Sequence, residues 1–251
     1  MQRNINNLIG YAVGATDGEI GKVEDFYFDD KTWTLRYMVV KTGNWFSGRE
    51  VLISTYALIK NLWETGTFLV NLTKQQVLNS PDIDTDQPVS RQQEIELHGY
   101  YAWQNYWDGG YYAGGLSAIA DPYVATAQKR LNEQGSNGKQ SAYDQHLRST
   151  HKVTGYHIHA TDGEIGHVKD FVIDNKTWQI VYLVVNTHNW FGGKEVLIPV
   201  THVTEVEWDN SKVYVDVTVD SVKNSIAFDN SVFNHSGEGH SFYLDHTIHA
   251  V

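Results

Sequence analysis

Apolar and polar residues alternate in short runs along much of the chain, and each run stops at a cluster of turn-forming residues. In 33–42, Trp33, Leu35, Tyr37 and Val39 form one alternating set and Thr34, Arg36, Met38 and Val40 the other. A period of two, rich in aromatic and β-branched residues, marks a strand. The same signal predicts strands at 10–16, 20–29, 33–42, 50–53, 58–63 and 67–72. Asp17-Gly18, Asp29–Thr32 and Glu64–Gly66 supply the turns, and their chemistry suits short antiparallel strands. Between Val23 and Phe26 the alternation slips, which predicts a β-bulge at Glu24-Asp25. A helical turn is expected at Lys74–Asn79.

The pattern then repeats. Residues 155–198 match 10–53 at a constant offset of 145, without a gap, with 28 of 44 positions identical. The match fades towards Ser80 and Ser225 and includes Trp63 with Trp208. Two copies this far apart are tandem units rather than a solenoid. The copies also test one another. The set Trp33, Leu35, Tyr37, Val39 keeps its chemistry as Trp178, Ile180, Tyr182, Val184, whereas Arg36 becomes Val181. The first set is therefore expected in the core. Six short strands per copy bury little as an open sheet, and closure into a small barrel would cover both faces and edges.

Four segments carry a resemblance: the Gly-Tyr…Ala-Thr-Asp-Gly-Glu-Ile-Gly opening, the Val-x-Asp-Phe strand, the Thr-Trp…Tyr-x-Val-Val strand, and Asn-Trp-Phe-x-Gly-[Arg/Lys]-Glu-Val-Leu-Ile. In these the chain resembles the PRC-barrel family over about 10–80 and 155–225. Pro88–Glu94 and His146–Thr150 extend the likeness towards stand-alone bacterial tandem members. The resemblance implies an all-β protein of two six-stranded PRC-type barrels in tandem, joined by a long linker with short helices. The boundaries expected are 1–90 for the first barrel, 91–145 for the linker, and 146–251 for the second barrel with a C-terminal arm. The family's common thread is protein–protein docking, as in the cytoplasmic part of the reaction-centre H subunit and in a ribosome-maturation factor. A stress-related role is what resemblance to the stand-alone members implies.

The linker is biased. Ser90 with Gln93 three residues on reads as a capping box opening a short helix to Leu97. From Gly99 to Tyr112 seven aromatics lie among glycines, a composition expected to break any regular helix. Tyr100, Tyr101, Trp103, Tyr106 and Trp107 are expected to form either a sticky strap that docks on a barrel, a sister chain or a partner, or an inter-domain pad that covers the chain's own barrel seam. A helix is expected at Ala125–Glu133, a loose tip at Gly135–Gln140, and a short helix or crossing arm around His240–His246. The recurring Trp45-Phe46 and Trp190-Phe191 are further docking candidates, or plugs in the barrel mouths.

Composition narrows the chemistry. With 19 Lys+Arg against 30 Asp+Glu the net charge is -11, and no local basic stripe is present, so nucleic acid is not an expected partner. Zero cysteine excludes disulfides and thiolate chemistry. No run suits a transmembrane helix or a secretory signal, which leads to a cytoplasmic expectation. Of 12 histidines all but His98 follow residue 145. His157 and His159 share a strand face and His167 lies across the hairpin, which makes them candidate ligands for zinc, copper or nickel in the second barrel alone. The paired carboxylates Asp17/Glu19 and Asp162/Glu164 sit at hairpin tips, where turn chemistry explains them. No nucleotide, acyl-transfer or zinc-hydrolase motif is present. The sequence therefore points to a non-enzymatic docking or scaffold module without a cofactor, whose barrels pair about a pseudo-two-fold axis and whose strap favours a homodimer or higher assembly. The alternative is a small-ligand or metal sensor using the histidine-rich second barrel.

Overall fold

The computed structural model describes residues 1–43, 48–81, 89–107, 147–187 and 193–229. It is mostly β-sheet with a few short helices. The first copy contributes β2 (Ala12–Ala15), β3 (Gly18–Asp29), β4 (Thr34–Thr42), β5 (Glu50–Ser54), β6 (Leu58–Leu62) and β7 (Thr67–Val70), followed by α1 (Lys74–Leu78). The second contributes β9 (His157–Ala160), β10 (Gly163–Asp174), β11 (Gln179–Asn186), β12 (Glu195–Pro199), β13 (Val203–Glu207) and β14 (Lys212–Val215), followed by α4 (Val219–Asn224). Two three-residue strands precede them: β1 (Gln2–Asn4) before the first copy and β8 (Leu147–Ser149), running into α3 (Thr150–Val153), before the second. The linker forms α2 (Arg91–Tyr101).

Each copy has the same ladder, β5-β4-β3-β2-β7-β6 and β12-β11-β10-β9-β14-β13. The neighbours are antiparallel except β2 with β7 and β9 with β14, which are parallel, so the wholly antiparallel reading of the turns is corrected there. These pairs join strands far apart in sequence, which local turn chemistry does not report. A side chain at Gly21 would meet the Lys41 carbonyl at 1.9 Å, and one at Gly166 the Asn186 carbonyl at 2.1 Å. That close approach explains the second glycine of the repeated Gly-Glu-Ile-Gly.

The ladders do not show two closed cylinders. The two copies belong to one 14-stranded sheet, joined where Gln179 of β11 pairs with Thr34 of β4. Among the described residues neither copy's ladder closes on itself. The unjoined strands are β5 and β6, on either side of the turn at Thr55–Ala57: among the described residues β5 pairs only with β4 and β6 only with β7.

One large core runs through both copies. It includes Leu35, Met38 and Val40 with Ile180, Leu183 and Val185. Tyr37 and Val39 face the other way, into a second cluster with Tyr27 and Leu52, and Tyr182 and Val184 do the same with Val172 and Leu197. The expected core set is thus split. The register slips between Tyr37 and Leu35, and again between Tyr182 and Ile180, so a bulge at Arg36 and Val181 inverts the alternation. The slip beside Glu24 is also present, between Val23 and Asp25, with its equivalent between Val168 and Asp170.

Candidate docking site

The copies meet through exchanged arms. β1, ahead of the first copy, pairs with β10 of the second: Gln2 with Asp174 and Asn4 with Val172. β8, ahead of the second copy, pairs with β3 of the first in the same register: Leu147 with Asp29 and Ser149 with Tyr27. Every residue here is related to its counterpart by the offset of 145. β2 covers only the first part of β3, and β8 occupies the edge that β2 leaves bare beyond the bulge. The bulge aspartates receive the arms. Asp25 accepts from the Ser149 and Thr150 hydroxyls and the His151 amide. Asp170 accepts from the Asn6 amide at 3.1 Å and from its neighbour Phe171 at 2.7 Å. Burial pushes the Asp170 carboxyl up to about 6, against those hydrogen bonds.

Beside the junction of β4 and β11 lie the tryptophans. Leu35 N–H donates to the Trp178 carbonyl and Ile180 N–H to that of Trp33, at 2.8 and 2.7 Å. Both tryptophans adopt left-handed backbone, φ 53° and 60°. The Trp178 ring enters the first copy, 5.7 Å from Phe68 and 6.3 Å from Trp63, while Trp33 stacks on Phe28 at 5.4 Å. The arm arginines close the seam: Arg3 lies over Trp63 at 4.4 Å and Arg148 over Trp208 at 3.5 Å. A cavity of about 330 Å³ lies between the arms, lined by the equivalent pairs Ile5/Thr150, Asn6/His151 and Ile9/Thr154.

The outer face of the first copy is covered by α2 and the strap. The Ser90/Gln93 capping box forms, and the helix continues through Gly99, Tyr100 and Tyr101 before Ala102 ends it at φ 56°. The aromatic–glycine composition therefore does not stop the helix where expected: only one glycine precedes Ala102, and tertiary contacts outweigh its propensity. Glu94, Leu97 and His98 are buried with Tyr101 packed beside them, an i, i+3, i+4, i+7 stripe. Tyr101 stacks on Trp103 at 4.3 Å. Burial pushes the Tyr101 phenol up to about 12. Trp107 lies 4.8 Å from His98, and Arg36 sits over Tyr106 at 3.9 Å. Tyr37 donates to Glu94 at 2.7 Å, Tyr106 donates to the same oxygen at 2.6 Å, and Arg91 lies 2.8 Å from the other. Burial and the Glu94 charge hold both phenols well above their ordinary value. Tyr100 alone of the strap candidates is exposed, at 41%. Sequence reasoning missed Glu94 and His98; their spacing of four, in phase with Leu97 and Tyr101, was the signal available.

The second copy covers the same face differently. Phe228 packs among Val172, Tyr182, Val184 and Leu197. Burial raises the Tyr182 phenol while a hydrogen bond with Gln2 opposes the rise. His157 and His167 face one another across the β9–β10 ladder, His157 Nδ1 lies 2.9 Å from Glu164, and the His159 ring lies 5.5 Å from Tyr214. Among the described residues no three His, Asp or Glu side chains gather as a metal would require. Asp17 and Asp162 accept from the Lys74 and Val219 amides, tying the hairpin tips to α1 and α4. Trp45, Phe46, Trp190 and Phe191 lie outside the described residues, as do 125–133, 135–140 and 240–246. No described helix is long and apolar enough to cross a membrane.

The copies differ most plainly at their surfaces. Tyr56 and Ile59, 56% and 62% exposed, correspond to Thr201 and Thr204. Comparison with known proteins places these units. An uncharacterized protein of Deinococcus radiodurans is 30% identical over 121 residues, covering 44% of this chain and 43% of its own length, so the chain spans less than half of that relative. The family model described as the PRC-barrel domain matches residues 1–76 and 149–222, the first match taking in β1 and the second beginning at the last residue of β8. With both copies matched, and more than half of its residues within them, the chain belongs to the PRC-barrel family.

Proposed function

We propose that the chain is a non-enzymatic docking module that binds a protein partner through its first copy, and that it works in the cytoplasm. The carrying observation is the pair Tyr56 and Ile59: large apolar side chains held in water by one copy, where the other places two threonines on the same framework. The fold does not require them, since the second copy forms without them, and such residues are costly to leave exposed. Ile95 and Tyr100, each 41% exposed on α2, add apolar surface to the same copy. In this reading each copy acts as a six-stranded barrel, with β5 and β6 brought round by the turn at Thr55–Ala57, and the chain assembles as a homodimer or higher oligomer.

The test substitutes Tyr56→Thr and Ile59→Thr together, residues that the same framework already tolerates. Thermal stability is expected to change by less than about 1 kcal/mol, while oligomeric mass by light scattering and the set of proteins co-purified from the native cell both change. An unaltered mass together with an unaltered partner set refutes the proposal.

A further inference from the structure

Tyr37, Glu94 and His98 meet with 0%, 0% and 2% exposure. The Tyr37 oxygen lies 2.7 Å from both Glu94 Oε1 and His98 Nε2. A phenol has one proton to give. Where it donates to a carboxylate, Nε2 must carry a proton to complete the second contact. His98 Nδ1 lies 3.0 Å from the Gln104 carbonyl, which only accepts, so Nδ1 carries a proton too. His98 is then an imidazolium beside an ionised glutamate. In the other assignment Tyr37 donates to Nε2, and the contact to Glu94 is satisfied only by a protonated carboxyl. Both assignments hold one proton more than an ionised glutamate plus a neutral histidine.

We infer that this shared proton is a clasp: bound, it holds α2 and the aromatic strap on the outer face of the first copy, and its loss as pH rises releases them. Among the described residues the groups facing it are Tyr37 and Arg36 from β4, Arg91 from α2 and Tyr106 from the strap, with Asp29 of β3 pairing with Arg36 at 3.4 Å. Without the proton one of three contacts, Tyr37 to Glu94, Tyr37 to His98 or His98 to Gln104, has oxygen or nitrogen facing oxygen with no hydrogen between, and such an unmade bond is expensive. The second copy provides the internal comparison. Its equivalent phenol, Tyr182, is served by the neutral Gln2 side chain, where the first copy has Leu147. The clasp is specific to the first copy and gates whatever surface α2 covers there.

Hydrogen exchange of the amides in 91–101, measured on the full chain and corrected for intrinsic rates, reads the clasp without any partner, so its failure is distinct from failure of the docking proposal. Protection is expected to fall about tenfold between about pH 5 and about pH 9, the equivalent of one lost buried hydrogen bond. Glu94→Gln supplies an amide donor to the Tyr37 oxygen, freeing the phenol to donate to a neutral imidazole. Its network closes without the extra proton, so its protection is expected to be independent of pH. A wild-type profile that stays flat, or a Glu94→Gln profile that keeps the wild-type pH dependence, overturns the proposal. NMR of the His98 ring nitrogens and the Glu94 carboxyl carbon in the wild type gives a reading free of any variant: one proton is lost between the two groups over the same range, and no change in either overturns it.

Discussion

Asp170 makes folding sensitive to acid in a direction opposite to the usual carboxylate. It sits in the β10 bulge with 5% exposure, and burial lifts its carboxyl from 3.8 to about 6. Between those values the folded chain binds more protons at this site than the unfolded chain, so stability falls as pH rises. The group's stabilising contribution is whole below the unfolded value and gone above the folded one. A shift of about 2 units corresponds to roughly 3 kcal/mol. Asp170→Asn removes the buried charge and keeps an oxygen for the Asn6 and Phe171 amides. Denaturant unfolding of both proteins from about pH 4 to about pH 7.5 measures the difference. The variant is expected to gain on the wild type progressively, by roughly 2 kcal/mol over the interval. A stability difference that does not change with pH refutes the reasoning, because it would mean that the carboxyl titrates alike in the folded and unfolded chain.

Trp178→Ala removes a ring that the second copy lends to the first, 5.7 Å from Phe68; a loss of about 3 kcal/mol is expected, with hydrogen-exchange protection falling first in β7 of the opposite copy. Arg148→Ala loses both the Trp208 stack at 3.5 Å and the Asp30 pair at 3.1 Å, whereas Arg3→Ala loses a stack at 4.4 Å at a seam where Asn175 replaces the aspartate. The first should cost about 2 kcal/mol and the second about 1 kcal/mol by denaturant titration, and equal losses would show that the carboxylate adds nothing.

Much of each copy was legible along the chain. The observed strands begin and end within two residues of the runs that alternation marks, because each run has a buried face and turn residues at its ends. The bulge at Glu24-Asp25 was visible as a lost beat, but the one at Arg36 was not. Arg36 to Val181 looks like a solvent-facing exchange, and only the pairing of Tyr27 with Tyr37 beside Phe28 with Leu35 exposes the slip. The arms were illegible for a different reason. Gln2–Asn4 and Leu147–Ser149 are three residues each, too short for any period, and share only Arg3 with Arg148. Their strand identity comes from the bare edge they complete rather than from their own side chains. Glu94 and His98 were hidden by a sound general expectation, that charged residues on a short helix face water. It fails where a phenol from below and another from the strap supply the missing partners.

The duplication itself separates what the fold needs from what it carries. Trp33/Trp178, Asp25/Asp170, Arg3/Arg148 and Trp63/Trp208, held in both copies, lie at the seam, where a change in one half would leave the other half's partner unmatched. Several residues that differ lie where each copy meets something else. Arg36 supports Tyr106 of the strap, while Val181 packs beside the outer cluster that Phe228 covers. Leu147 packs among the residues under α2, while Gln2 bonds the second copy's phenol. Even the shared bulge aspartates have diverged with their arms: Thr150 gives Asp25 a hydroxyl, and the equivalent Ile5 gives Asp170 none. The two copies thus share a frame of seam residues and have specialised at their covers, at their outer surfaces and, at positions such as Ile5/Thr150, along their arms. The first copy's differences converge on one face, where a helix, an aromatic strap, a buried acid and a histidine replace what the second copy achieves with an amide and a phenylalanine.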